Sequence, residues 1–414
     1  MKLPHGSKKF VKWIPAYILP VLMVMFAWNY FMIPESLTLI EGQPYQCDTI
    51  LPVSTTVSEG GSKVTVKAFG VVKQKTIDVN VIPETKVVVS GKPIGVKMLS
   101  KGVMVTGFVG FLSNESIFVT PARDCGLENG DRILAVNGEE IESAEELTQA
   151  LCSGKGNPAS LKVEREGKAI EITAHPCEEE QTGVYKLGLW VKDSVAGIGT
   201  LTFYSDDTGF YGALGHGITD TETGNVFCLN RGMLLNADIT GVVKGNAGIP
   251  GELKGIFLTG DKNNGGIGNI LLNNEKGIYG YLSEEAMNKL SGREMLIGTS
   301  SMVEEGPATI ITTIDGEGPC EYEAQIEKVS MSKVGTTKGL VIKITDENLL
   351  KKTGGIVQGM SGSPIIQNGR LIGAVTHVMI NDPTSGYGVF IESMLANRTE
   401  ASYNLSGQEL QQAS

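Results

Sequence analysis

The stretch Gly359-Met360-Ser361-Gly362-Ser363-Pro364 sets a serine beside glycines, an arrangement that can do nucleophilic chemistry. A hydroxyl attacks a carbonyl when it is exposed, when a base takes its proton, and when backbone N–H groups face the oxyanion that forms. Gly359 and Gly362 permit backbone angles that a side chain forbids, so the N–H groups of Gly359 and Ser361 can point into one small pocket and act as an oxyanion hole. Ser361 is taken as the nucleophile and Ser363 as turn structure. A lone turn of this composition is also an ordinary β-turn, so the reading depends on partners elsewhere. Among 4 histidines, His216 lies between Gly215 and Gly217, where a sharp turn leaves the ring open on one side as a general base requires. His377 is the rival base, but it lies in an apolar run where a packed ring is the expected role, and His5 and His175 fall in other segments. A carboxylate is expected to orient the imidazole. Asp220, Asp238, Asp261, Asp315 and Asp346 all lie between His216 and Ser361, and spacing does not choose among them.

These residues must be held by β structure. The serine turn separates Thr353-Gly354-Gly355-Ile356-Val357 from Leu371-Ile372-Gly373-Ala374-Val375-Thr376-His377-Val378, two strand-like runs, so no helix opens at the serine. Val/Ile/Thr-rich runs recur between 53 glycines in a chain of 414 residues, which predicts a mainly β protein of two or three domains. Residues 185–400 read as one β domain carrying both His216 and Ser361, followed by a tail over 401–414. Residues 178–184 are acidic and polar and read as a linker. Residues 36–92 read as a small β region. Trp13 to Ile33 runs without a charge, close to the ~20 residues that span a bilayer. Lys2, Lys8, Lys9 and Lys12 precede it, so residues 1–35 are expected to be a cytoplasmic stub and an uncleaved anchor that places the rest outside the cytoplasm. A net charge of −11 without a basic cluster argues against nucleic acid. The 6 cysteines show no metal-ligand spacing, so no metal or other cofactor is expected and their pairing is left open.

Between residues 93 and 177, Gly130-Asp131 leads into the apolar run Arg132–Val136, Asn137-Gly138 turns it back, and Ser143 with Glu146 opens a helix that buries Leu147, Ala150 and Leu151. This module resembles a PDZ domain. By position in that family, Pro93-Ile94-Gly95-Val96 matches the loop that takes a peptide's terminal carboxylate, which makes Ile94, Gly95 and Val96 the implied peptide-binding residues.

Histidine, aspartate and then serine in G-x-S-G-x-P on glycine-rich β structure resembles the chymotrypsin-like serine proteases and implies a double β-barrel. The α/β-hydrolase elbow fits less well, since it needs G-x-S-x-G and a following helix. The anchor, the PDZ-like module, Ala213-Leu214-Gly215-His216-Gly217-Ile218-Thr219-Asp220, the serine turn and Asn381-Asp382-Pro383-Thr384-Ser385-Gly386-Tyr387-Gly388 together resemble the stage IV sporulation protein B family. That resemblance implies a membrane-anchored serine endopeptidase with Ser361 as nucleophile, His216 as base and Asp346 as the acid. It further implies self-cleavage and cleavage of a membrane-bound partner that regulates an intramembrane protease, in the space between the two spore membranes. The competing reading is a membrane-tethered scaffold that binds a partner's terminus and has no activity.

Overall fold

The structure, a computed structural model, describes residues 20–31, 33, 36–42, 51–57, 63–220, 224–258 and 266–412. Residues 20–31 are helical, and among the described residues no helix is long and apolar enough to cross a membrane. The part of the expected anchor before Pro20 lies outside the described residues.

Ser36–Ile40, Val53–Val57, Lys63–Ala68 and Val72–Ile82 form a four-stranded sheet in which the first strand lies parallel to the last. Alternation in Lys63–Ala68 puts Val64, Val66 and Ala68 on the buried face, where the first two meet Leu37, Leu39 and Ile77 in a core of their own.

In the PDZ-like module the hairpin turn forms as its residues require. Asn137 and Gly138 both have left-handed backbone (φ 55° and 87°), the combination of a type I′ turn. Ser143 caps the helix Ala144–Ser153 by accepting from the Glu146 N–H at 3.1 Å, and Leu147 and Leu151 are buried. Buried Asp131 receives both Nε and Nη2 of Arg165 at 2.7 Å, which ties the strand Arg132–Val136 to the end of Ala159–Arg165.

The sheet does not stop at the module's edge. Pro93–Phe108 is a single strand of 16 residues. Its second half pairs with Arg132–Val136 inside the module, while its first half lies between Leu189–Tyr204 and Leu229–Val243 of the following domain. The expected boundaries at 93 and 177 therefore fall within shared structure. The expected linker at 178–184 is instead the loop of a hairpin, because Cys177–Glu178 pairs with Tyr185–Lys186 and Leu187 belongs to the module's core.

The last third is a closed six-stranded barrel in the order Gly306–Thr312, Cys320–Val329, Leu340–Ile344, Asp382–Phe390, Arg370–Met379, Pro364–Gln367. Fully buried Ile310, Ile326, Leu340, Ile342 and Ile365 fill it. The expected second barrel is not a closed one among the described strands. Lys86–Val89, Leu189–Tyr204, Phe210–Ala213 and Gly277–Tyr281 belong to one open sheet, because Leu189–Tyr204 continues into the PDZ-like module instead of curling back. Phe203, Phe210 and Tyr279 seal this half against the barrel.

Candidate active site

Ser361 sits on a tight turn at the mouth of the barrel. The Ser363 N–H donates to the Met360 carbonyl at 3.0 Å, and Gly362 in between has φ 94°. Glycine is required there twice over, by the positive φ and because an added Cβ would overlap the Thr200 carbonyl oxygen and the Leu214 N–H. Neighbouring strands clamp the turn. The Thr200 N–H donates to the Ser361 carbonyl at 2.9 Å, Thr200 Oγ1 to the Gly359 carbonyl at 2.9 Å, and Thr202 Oγ1 to the Gly362 carbonyl at 2.7 Å. The Gly362 N–H reaches the Val375 carbonyl at 2.8 Å. By contrast, the N–H groups of Gly359 and Ser361 have no intramolecular acceptor among the described residues. Ser363 is buried, and its hydroxyl donates to the Met360 carbonyl at 2.6 Å, as turn structure should.

His216 follows a strand that ends abruptly. After Ala213, Leu214 and Gly215 both adopt left-handed backbone (φ 67° and 68°). For leucine this costs roughly 1–2 kcal/mol, offset by burial of its side chain over Gly199, where any Cβ would overlap Leu214 Cδ2. The chain is then fixed by Asn273, whose carboxamide accepts from the Ile218 N–H at 2.9 Å and donates to the carbonyls of Ile218 and Phe227 at 3.0 Å. His216 Nδ1 lies 2.8 Å from the Gly217 carbonyl. A carbonyl only accepts, so Nδ1 carries the proton and Nε2 of the neutral ring has a free lone pair. Burial holds the imidazole below its ordinary pKa, opposed by that one hydrogen bond, so the ring is neutral near pH 7.

Ser361, His216, Gly359, Thr376 and His377 line one cavity of about 400 Å³. Ser361 Oγ donates to the Thr376 carbonyl at 2.8 Å and makes no hydrogen bond to either imidazole. His377 was expected to be packed in its strand, yet it lines the cavity with its ring centred 4.8 Å from that of His216. The reason is a bulge. Val375 pairs with Gly388 and Val378 with Gly386, so Thr376 and His377 together face one residue, and the strand turns both toward the cavity. The protein packed beneath it, then His216 and then Lys338, push the His377 imidazole down to about 4.

Asp346 is not in this cavity. Its carboxylate caps the helix Glu347–Thr353, accepting from the Leu349 N–H at 2.9 Å. It lies beyond one end of the strand Leu340–Ile344, whereas Lys338, whose charge acts on His377, precedes the other end. The structure thus places Asp346, the implied triad acid, at a helix cap outside the cavity lining. Asp315 pairs with Lys352 and buried Asp220 with Lys192, Asp238 is exposed on its strand, and Asp261 lies outside the described residues. No carboxylate lines the cavity among the described residues, and the Gly217 carbonyl occupies the position of the imidazole's orienting group.

Ile94, Gly95 and Val96 are not a carboxylate loop either. They pair on one edge with Gly199, Ile198 and Gly197 and on the other with Asn236, Leu235 and Leu234, so their N–H groups are inside a sheet. Ile94 and Val96 are buried, and Phe257 and Leu235 crowd Gly95. Leu187-Gly188-Leu189 has the geometry that was assigned to them. Gly188 has φ 75°, its added Cβ would overlap the Val109 carbonyl oxygen, and the N–H groups of Leu187 and Gly188 have no acceptor among the described residues. The helix Ala144–Ser153 runs beside it, its start held to Asp193 (Ala144 N–H to Oδ2, 3.1 Å) and its end near the Tyr185 carbonyl. The sequence signal is the apolar-Gly-apolar run itself, one of several in the chain, Phe69-Gly70-Val71 and Val109-Gly110-Phe111 among them.

The family description SpoIVB peptidase S55 matches residues 183–395, and a PDZ domain description matches residues 120–165. A zinc metalloprotease of Clostridium perfringens is 31% identical over 83 residues, covering 19% of this chain and 24% of that protein. A periplasmic serine endoprotease of the DegP-like type from Chlamydia trachomatis is 36% identical over 89 residues, covering 20% of this chain and 18% of that protein. The chain thus spans about a quarter or less of the length of these relatives. Among solved structures, the PDZ domain of an SdrC-like protein from Listeria monocytogenes matches with TM-score 0.18 and 21% identity over 22% of this chain and 87% of that one. The HtrA-type protease AlgW matches with TM-score 0.30 and 12% identity over 51% of this chain and 55% of that one. With the family match covering about half of the chain, including the glycine-flanked histidine and the serine turn, the chain belongs to the SpoIVB peptidase S55 family.

Proposed function

We propose that this protein is a serine endopeptidase in which Ser361 is the nucleophile, His216 the general base, and the N–H groups of Gly359 and Ser361 the oxyanion hole. One observation carries the reading: a neutral imidazole with a free Nε2, a serine hydroxyl and two unengaged backbone donors meet in one cavity. Ser361 Oγ leaves the Thr376 carbonyl, passes its proton to His216 Nε2 and bonds to the substrate carbonyl carbon. The oxyanion takes hydrogen bonds from the two N–H groups, His216 returns the proton to the leaving amine as the C–N bond breaks, and water releases the acyl group by the same route. The Gly217 carbonyl keeps the imidazole in the right tautomer and stabilises its cation as a dipole. In this reading a main-chain carbonyl stands where a carboxylate is usual.

Family membership supports the finer reading: a membrane-anchored enzyme outside the cytoplasm of the forespore that cuts itself and a membrane-bound regulator of an intramembrane protease. Leu187-Gly188-Leu189 is proposed as the loop that receives a peptide's carboxylate, with the groove along Ala144–Ser153 beside it. The bond from Ser361 Oγ to Thr376 favours the alternative, a scaffold with an idle serine. Purified Ser361→Ala protein separates the two: it should keep the parent's circular dichroism and lose all cleavage of itself and of an added unfolded protein. Cleavage that persists would remove Ser361 from the mechanism.

A further inference from the structure

The strand Leu189–Tyr204 joins the two sites just described. It is 16 residues long, begins at the Leu187-Gly188-Leu189 loop, and reaches the serine turn at Thr200, whose N–H holds the Ser361 carbonyl. One edge is paired with Pro93–Phe108 from Leu189 to Thr200, with register shifts at Trp190/Val191 and Lys192/Ser194. On the other edge, pairing begins only at Leu201, with Ala213, so the stretch from Leu189 to Gly199 has no strand beside it among the described residues.

The open edge faces the catalytic side. The Thr200 N–H and carbonyl both point that way, to the Ser361 carbonyl and the Leu214 N–H. Backbone direction alternates along a strand, and the register from Ser194 to Thr200 runs without a shift, so Ser194, Ala196 and Ile198 also direct N–H and carbonyl to the open edge. Ala196, Gly197 and Ile198 are themselves walls of the Ser361 cavity.

We propose that this edge is a substrate track: an extended peptide binds its terminal carboxylate at Leu187-Gly188-Leu189, pairs antiparallel with Leu189–Ile198, and presents an upstream bond to Ser361. The proposal rests on the peptidase reading above and adds substrate class and cutting position. The occupant is a chain with a free C-terminus in extended form. A carboxylate at the start of the strand fixes the direction, because the peptide's C-terminus lies at Gly188 and its earlier residues lie toward Ile198. When Ser361 Oγ bonds to the acyl carbon and the C–N bond breaks, the new amine, protonated through His216, belongs to the segment on the track. Pairing at ~3.3 Å per step along Leu189–Ile198, whose register toward Pro93–Phe108 shifts at Trp190/Val191 and at Lys192/Ser194, makes that segment roughly ten residues long.

The test incubates the full chain with a mixed-sequence library of unstructured peptides of about 25 residues, long enough to cover the edge at ~3.3 Å per residue. The library is made once with free C-termini and once as amides, and mass spectrometry reads the cut positions. C-terminal products clustered near ten residues are expected from the free acids, with cutting in that cluster about tenfold weaker for the amides, which lack the charge the loop binds. Ala196→Pro, tolerated at an open strand edge because its N–H faces outward, should weaken the cluster likewise; if that variant misfolds, the amide comparison decides. Cuts spread evenly relative to the C-terminus, or a cluster indifferent to amidation, would overturn the track. A fluorophosphonate probe in the same samples separates the failures. Unlabelled protein that cuts nothing sinks the peptidase reading, whereas labelled protein that leaves the library intact, or cuts it without register, sinks the track alone.

Discussion

At the scale of single residues, the site turns on which atom of His216 is free. The Gly217 carbonyl settles it, by accepting from Nδ1 and leaving Nε2 to face the cavity. Because burial lowers this imidazole's pKa, the base stays neutral as the pH falls below 6.5, and kcat/KM should drop only as pH passes through the lowered value. A pH profile whose acidic limb lies at or above 6.5 would contradict that environment. His377, held near 4 in the fold against an ordinary 6.5, gives the opposite sign to a salt-bridged histidine. The unfolded chain takes up its proton first, so stability contributed by the neutral ring is lost as pH falls from 6.5 toward 4. Asp346 yields the sharpest single-residue contrast. Asparagine caps helices about as well as aspartate, so Asp346→Asn should retain activity within a few-fold, and Asp346→Ala should cost about 1 kcal/mol of stability. Loss of turnover in a folded Asp346→Asn protein would restore it to the mechanism. That Ser361 and His216 would line one cavity was readable because glycine neighbours mark residues held in special backbone geometry. The place of His377 there was not, since it depends on a bulge set by pairing with a strand that follows it.

At the scale of elements, the serine turn is a product of the strands around it. Thr202 is fully buried and its hydroxyl serves the Gly362 carbonyl, so Thr202→Val should leave that acceptor unsatisfied at a cost of about 1–3 kcal/mol, read as a lowered urea midpoint with loss of activity at lower denaturant. Gly362→Ala is harsher, combining left-handed backbone with overlap against Thr200, and it should abolish activity even if the barrel survives. A fully active Gly362→Ala enzyme would mean that the turn adopts another shape. The helix cap at Ser143 and the Asn137-Gly138 turn were readable from local chemistry, which needs no distant partner. The carboxylate loop was assigned to Ile94-Gly95-Val96 because an apolar-Gly-apolar run looks the same in a loop and in a sheet. Only two flanking strands, Leu189–Tyr204 and Leu229–Val243, make it interior.

At the scale of the whole molecule, the PDZ-like module and the domain that carries Ser361 share sheet. Pro93–Phe108 serves both, and a chain shortened to begin at residue 185 would lose the partner of Leu189–Thr200 and of Leu229–Asn236 together. Such a chain should fail to unfold cooperatively in circular dichroism, whereas an independent peptidase domain would melt as a unit. The sequence pointed to two modules and a linker because acidic, polar composition marks exposure, and a hairpin loop is as exposed as a linker. The closed barrel was foreseeable in its strands but its single closure was not, since closure depends on where Leu189–Tyr204 leads.

The central claim is that His216 activates Ser361 in one cavity, and covalent capture tests it most directly. Treated with a fluorophosphonate and read by peptide mass spectrometry, the protein should carry the adduct on Ser361. His216→Ala should lose the adduct, and His377→Ala should keep most of it. An adduct on another serine, no adduct on a folded protein, or labelling indifferent to His216 would contradict the account.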